Sequence, residues 1–524
     1  MPSQSGFRSL LRASIGWPDD RGEKEAAYGR LNQERPAIFL WAVVAGLSAM
    51  LLAYSQTGAW AGDEELHLLA AQLINAGKTP YLDFFHQQTP LYAYLNAVCM
   101  RLFGESWRTA HALSALLTGG SIMLTAGFVF SRFPEPGWRL ASGITTALLI
   151  GLSYKVIRFG TIGQAFGLCL FLIVAAFRLT IEAARRPGVF LPAAAGLCAG
   201  AAADSWLVAA PTAPILLLWM HRYNRSGNRL RKCAWFLLAA AIPFLPIAWL
   251  AVKAPRQVLF NLLEYQLFYR RVGRSYNVTV ADLEVLTEWL NSTQGLLLAL
   301  LAAVGLLFLM GRREWPDWKA ELYLCVWLTA GLGVYLAAVP HPTYGQYFTL
   351  LLPFLSILAC VGVYAIASLA PVSGRPGLLV VPLIGLFLLG LARTALDNRV
   401  FVRDFRWRRL EEVAREVNRV APKEGLLYAA TPLYFVTRRL PPPGMENSHA
   451  QGALLSPALA ASMHVVPAPQ VDEWLAAGRF DTVVIDPKDD RIESLGLSRL
   501  YATREDVRGF SIFWDKVAPS HESR

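Results

Sequence analysis

Charge is scarce in this chain of 524 residues: 17% of them are charged, against about 25% in an ordinary soluble domain. With 54% hydrophobic residues, 16 Trp and a mean hydropathy of +0.37, the shortage excludes a disordered tail, a fibrous repeat and an ordinary cytosolic enzyme. Cysteine is scarce too. The six, at 99, 169, 198, 233, 325 and 360, lie in or beside apolar segments and none falls in 395–524, so no disulfide framework is implied. There is no solenoid-type repeat. No GxxxxGKS/T phosphate loop, HExxH, paired CxxC or GxSxG elbow occurs, which leaves phosphate-loop ATPase, zincin and α/β-hydrolase readings without support.

What is present is long apolar runs. A span needs about 20 apolar residues. Eleven candidates fall near 37–58, 108–131, 138–153, 165–183, 189–203, 205–220, 234–252, 292–311, 321–339, 346–369 and 376–394, of which 138–153 and 189–203 are short. Three domains follow: a cytoplasmic N-terminal tail with a surface helix over 1–36, a transmembrane unit over 37–394 with its first outer loop at 59–107, and an extracytoplasmic α/β domain over 395–524.

The net charge of +11 is unevenly spread. Residues 395–524 carry 18 basic and 18 acidic side chains, and the other 31 basic and 20 acidic residues lie before them. A balanced soluble part argues against a nucleic-acid partner. Basic loops at Arg178–Arg186, His221–Cys233 and Gly311–Lys319 share one side if the N-terminus does, and that side reads as the cytoplasm. Residues 59–107, 154–164, 253–291, 340–345 and 395–524 then face out. The outer stretch 253–278 is basic against the rule, with Arg270 and Arg271 among five cations and Glu264 its one acid. It reads either as a translocated loop with snorkelling charges or as a phosphate-binding surface at the membrane edge.

In the tail, Arg406–Val420 reads as an amphipathic helix, Gly425–Ala430, Thr482–Asp486 and Phe510–Trp514 as strands, and Val471–Gly478 as helical.

The informative stretch is Gly62–Arg108. Asp63, Glu64 and Glu65 come just after the first span, where carboxylates are costly without a partner or a role. Leu66, Leu69, Ala70, Leu73 and Ile74 share one face of an interfacial helix that Gly77 ends. Then come Tyr81-Leu82-Asp83, His86-Gln87-Gln88-Thr89-Pro90 and a second amphipathic run to Phe103-Gly104.

An acidic pair after the first span, a G-x-x-P-Y-x-D step, a T-P-L-Y-x-Y run and an L-F-G before the next span resemble the GT-C membrane glycosyltransferases. The similarity is to protein O-mannosyltransferases, lipid A aminoarabinose transferases and bacterial family 39-like and Rgt-type enzymes. Ser153-Tyr154…Arg158 and His341-Pro-Thr-Tyr344-Gly-Gln-Tyr347 extend it. The resemblance implies a GT-C-like polytopic α-helical membrane protein of about 11 spans, with interfacial helices in the first outer loop and a small C-terminal α/β domain. It implies an outward-facing inverting transfer of a hexosyl or pentosyl group from a polyprenyl-phosphate sugar in a bacterial inner membrane. The acceptor would be lipid A, lipopolysaccharide core, another cell-envelope glycan, a lipid or a protein. The family's catalytic acid falls on Asp63, with Glu64 beside it. Many members carry a further acid after the Y-x-x-x-R step; here Arg158 is followed by Phe-Gly-Thr-Ile-Gly-Gln164.

The chemistry asks for a carboxylate to take the acceptor's proton and for cations or donors to receive the leaving phosphate. Asp63, Glu64 and Asp83 are the candidate catalytic carboxylates. The plain alternatives are an N-cap for Asp63, a first-turn acid for Glu64 and an Asx-turn for Asp83. Lys78, Arg158, Arg270 and Arg271 are candidate phosphate ligands, or surface and ion-pair residues. Tyr81, His86, His341, Tyr344 and Tyr347 are candidate substrate contacts, or parts of an interfacial aromatic belt. Asp204, between two apolar spans, caps a helix or touches substrate. No cofactor is called for by the motifs, and a divalent metal such as Mg or Mn is left open. A polyprenyl-lipid flippase or transporter, or an O-antigen-ligase-like enzyme, is the alternative reading.

Overall fold

The computed structural model describes residues 20–269, 278–311, 316–340, 342–369, 375–399 and 406–517, and side chains there except at 20–35, 278–282, 316 and 317. Arg270, Arg271 and His341 lie outside the described residues.

The chain is a multi-pass helical bundle carrying a small α/β domain. Among the described residues, eight helices are long and apolar enough to cross a membrane: Pro36–Ser55, Trp107–Arg132, Phe166–Arg185, Arg229–Lys253, Thr293–Gly311, Trp318–Ala338, Gly345–Leu369 and Gly377–Asp397. The expected count of eleven is therefore not reached on length. The other three expected spans are shorter helices, Arg139–Gly151, Phe190–Ser205 and Thr212–Tyr223. The first helix also differs: it starts at Asp20 and runs unbroken through Pro36, so residues 20–35 continue the first span instead of forming a separate surface helix.

Contacts sort the helix ends into two faces. At one face Arg132 and Arg186 meet Glu182, and Arg185 meets Glu321 at 2.5 Å. There, too, the Lys232 ammonium donates to the carbonyls of Ala183 at 2.6 Å and Arg186 at 2.8 Å. This face collects the basic loops. At the other face Trp407 N donates to Gly58 O at 2.9 Å, and Trp107 Nε1 and Arg108 both reach the Glu411 carboxylate. The C-terminal domain thus sits on the first loop.

That contact decides a point of topology. Seven long helices after the first would leave the domain on the opposite face from residues 59–107. An odd number of the shorter helices must therefore join the two faces. Phe190–Ser205 does so, running from the basic face to Trp206, whose ring packs on Tyr347 at 5.0 Å. Thr212–Tyr223 returns, with Trp219 Nε1 donating to Ala320 O at 2.9 Å, and Arg139–Gly151, leading from the Arg132 end to the loop whose Gly163 meets Glu64, is the third.

In the tail, Trp407–Val420 buries Trp407, Leu410, Val413 and Val417 against a four-stranded sheet of order β1-β2-β4-β3. β1 (Leu427–Tyr428) and β2 (Thr482–Ile485) pair in parallel; β4 (Phe510–Lys516) is antiparallel to β2 and to β3 (Tyr501–Val507). β3 has no counterpart among the expected strands. It is an edge strand whose Arg504-Glu505-Asp506 face water, so it lacks the apolar alternation that marks its neighbours.

Candidate active site

The site begins with one turn. Gly62 has φ +62, and a Cβ there would lie 2.4 Å from Gln164 Nε2, which donates to Ala61 O at 3.0 Å. Glycine satisfies both the left-handed backbone and the close approach. The turn swings the chain out of the first span and starts the helix Glu64–Asn75.

The three acids after it part company. Glu64 points inward and is fully buried. Its Oε1 accepts from Gly163 N at 2.8 Å and meets His111 Nε2, while His111 Nδ1 lies 2.7 Å from Ser55 O. A carbonyl only accepts, so the Nδ1 of His111 carries a proton. Glu64, expected as a catalytic neighbour, instead ties together the first span, the second and the loop at 163. Glu65 is buried too, accepting from Trp60 Nε1 at 2.8 Å, and burial pushes its carboxyl up to about 8.

Asp63 alone turns to open space. Its side chain makes no capping hydrogen bond, is 36% exposed, and lies 3.9 Å from His449 Nε2 of the C-terminal domain. It sits on the wall of a cavity of about 160 Å³. Gln87, Gln88 and Thr89 form the polar part of that wall. The apolar part comes from Leu207 and Val208, from Leu262, Leu263 and Leu267, and from Val339 and Pro340. Leu263, Leu267 and Val339 are nearly half exposed, so this side faces outward as grease. A smaller recess shares Asp63, Gln88, Trp206 and Tyr347 with the cavity and adds His67, Gln164 and Gln346.

The loop that follows the helix Glu64–Asn75 is held by its own turn and by side chains of the 260–269 segment. Asp83 Oδ2 accepts from Thr79 N at 2.7 Å and Asp83 N donates to Thr79 O at 2.9 Å, so this carboxylate closes a turn and does not line the cavity. Tyr81, fully buried at φ 69, donates its hydroxyl to Gln88 O at 2.6 Å. His86 N donates to Asn261 Oδ1 at 2.8 Å, and Gln266 Nε2 to Gln87 O at 2.7 Å. Tyr81 and His86 thus place Gln87 and Gln88, standing one layer behind the surface. Asn261 and Gln266 belong to a π-helical segment, Phe260–Tyr269, that supplies the leucine wall.

Of the expected cations, Lys78 and Arg158 do not line this cavity. Lys78 is exposed outside the cavity. Arg158 is buried, donating to Tyr154 Oη at 2.8 Å with its guanidinium 5.6 Å from the Phe159 ring centroid. Tyr347 lines the cavity and Tyr344 stacks edge-on behind it, ring centroids 5.7 Å apart. Asp204 is buried behind Trp206 and lines neither space. Sequence reasoning passed over Gln87, Gln88, Trp206, Gln266 and His449. The glutamines stood in the quoted run; nothing in the sequence links 449 to 63. Among the described residues no group of three His, Cys, Asp or Glu is placed to hold a metal ion.

No protein-family model matches the sequence, and no curated protein does. Solved structures do. ArnT from Cupriavidus metallidurans bound to undecaprenyl phosphate matches with a TM-score of 0.63 at 15% identity, over 92% of this chain and 98% of that one. Its apo state gives 0.60, again at 15% identity, over 93% and 98%. The chain has the GT-C fold. The oligosaccharyltransferase of Archaeoglobus fulgidus, in a complex with zinc and sulfate, matches more loosely: TM-score 0.49, 13% identity, 84% of this chain and 68% of that one. The cavity lies where residues 59–107, the C-terminal domain and the helix ends on that face converge.

Proposed function

We propose that the protein transfers a sugar from a polyprenyl-phosphate donor to a hydroxyl acceptor at the outer face of a bacterial inner membrane, with Asp63 as general base or acceptor-orienting carboxylate. One observation carries the reading. Asp63, released from helix capping, stands where a polar recess meets an outward-facing leucine groove. A polyprenyl donor has just this division, with an apolar chain joined through phosphate to a polar sugar. The solved GT-C structure bound to undecaprenyl phosphate has the same fold.

The chemistry follows from position. The groove holds the lipid and fixes C1 of the sugar near Asp63, converting encounter into a local reaction. Asp63 takes the acceptor proton as the new C1–O bond forms and the phosphate leaves. Gln87, Gln88 and Gln346 offer neutral donors to the sugar without trapping its charge. Arg270 and Arg271, next in sequence after the leucine wall, are the cations proposed for the leaving phosphate. The C-terminal domain is proposed to face the same extracytoplasmic side and to wall the acceptor entrance.

The test is a product-mass assay of the purified chain in nanodiscs against a panel of polyprenyl-phosphate hexoses and pentoses. A mass gain of one glycosyl unit on an acceptor, lost in Asp63→Asn with undecaprenyl phosphate still bound, supports the reading. Undiminished transfer by Asp63→Asn overturns the role of Asp63.

A further inference from the structure

The C-terminal domain does more than pack on the first loop. Its segment 446–465 inserts against the loop and the π-helical wall, where Ala450, Met463 and Val465 share an apolar cluster with Phe85, Phe260 and Tyr265. The short helix Ser448–Gln451 is fixed at its start by Asn447, whose Oδ1 accepts from His449 N at 3.0 Å and Ala450 N at 3.1 Å. The result is that His449, 54% exposed, holds its Nε2 3.9 Å from Asp63 Oδ1 at the cavity mouth. An apolar anchor beside the residue and a side-chain cap on its own N–H hold the backbone that carries the imidazole.

We propose that His449 is the positioning and proton-accepting partner of Asp63, supplied to the site by the C-terminal domain. The inference rests on the transfer reading above. The acceptor O–H bond breaks as its oxygen bonds to C1, and the C1–O bond to phosphate breaks with its electron pair leaving on the polyprenyl phosphate. The acceptor proton passes to Asp63 and from there to neutral His449 Nε2, which becomes imidazolium and releases it to water. Handing the proton on returns Asp63 to its carboxylate form for the next turnover. The distance is long for a hydrogen bond; such contacts close when substrate excludes water.

Other titratable groups surround the pair. Glu65 and His67 lie on the helix that Asp63 begins, and His86 comes from the loop. Glu446 comes from the tail, with Lys78 near enough to act on it, and Tyr347 lies across the recess. Burial holds His67 and His86 neutral, down at about 3 and about 4. Glu446, pushed up by burial to about 7, titrates near neutrality, so Glu446→Gln is the control.

The experiment uses the full chain in nanodiscs and the polyprenyl-phosphate sugar that the wild type turns over fastest. His449→Gln should lower kcat by about 10²-fold, with undecaprenyl phosphate affinity unchanged, and should abolish the acid limb of the wild-type kcat profile. His449→Ala should regain activity with added imidazole, while Glu446→Gln keeps the acid limb. A wild-type kcat profile in His449→Gln, or no imidazole rescue of a correctly folded His449→Ala, overturns the proposal. If the wild type transfers, Asp63→Asn does not, and His449→Gln behaves as wild type, the partner role alone falls. If the wild type moves no sugar at all, the transfer reading falls and takes this one with it.

Discussion

Gly163 N donates to Glu64 Oε1 at 2.8 Å across 99 positions of sequence, in a place where a Cβ on Gly163 would stand 2.9 Å from that same oxygen. The contact explains why two adjacent acids have different fates. Glu64 is consumed by the backbone of the loop at 163 and by His111, and Asp63 is left outside. A helix N-cap is worth about 1 kcal/mol to a carboxylate, yet Asp63 forgoes it. An acid at a cavity wall, beside a buried one that locks the turn, is the arrangement on which the proposed general base rests.

Replacing His111 by Ala leaves the buried Glu64 Oε1 without its imidazole partner. Thermal unfolding should show a loss of about 3–5 kcal/mol, with transfer falling because the protein unfolds. Wild-type thermal stability of His111→Ala would mean that Glu64 does not anchor the turn.

Gly62→Ala meets both a left-handed backbone and Gln164. A cost of about 1–3 kcal/mol is expected, together with a drop in kcat larger than that in donor affinity, since Asp63 moves with the turn. Adding Gln164→Ala removes the clash but not the φ, so stability should recover only in part. Full recovery would show that backbone strain is negligible.

Stability should peak in mildly acidic to neutral solution. Burial pushes the carboxyls of Glu65 and Glu446 up from 4.5, to about 8 and about 7. The folded protein then binds more protons than the unfolded one above about pH 4.5, so this contribution is lost as pH rises toward 8. Burial pushes His67 and His86 down from 6.5, to about 3 and about 4, so the unfolded state binds more protons there and stability falls as pH drops below about 6.5. Glu65→Gln should flatten the alkaline side in denaturation measured from pH 6 to 9. An unchanged slope would remove Glu65 from the account.

Leu263→Glu places a charge on the outward apolar wall. KM for a long-chain polyprenyl donor should rise about tenfold or more while a short-chain, water-soluble analogue is little affected, because only the long chain loses apolar contact. Equal effects on both donors would argue that the wall does not hold the lipid.

The sequence carried the fold class, because a membrane span is a local property: length and hydropathy suffice, and eight of the expected segments are helices of spanning length. It carried the GT-C resemblance for the same reason, since the glycine turn, the acids and the Pro-Tyr-x-Asp step lie within 62–108. The helix Trp407–Val420 was legible from its one apolar face, whereas β3, an exposed edge, was not. Which acid is free was not legible either: Asp63 and Glu64 differ by one position on a helix, and that rotation sends one to His111 and the other to the cavity. Likewise Asp83 and Arg158 look like site residues until their own neighbours are seen to claim them. Local chemistry can be read along a chain; the sharing of polar partners cannot, because the partners of Glu64, His86 and Asp63 come from 163, 261 and 449 and meet only when the bundle and its domain close around the first loop.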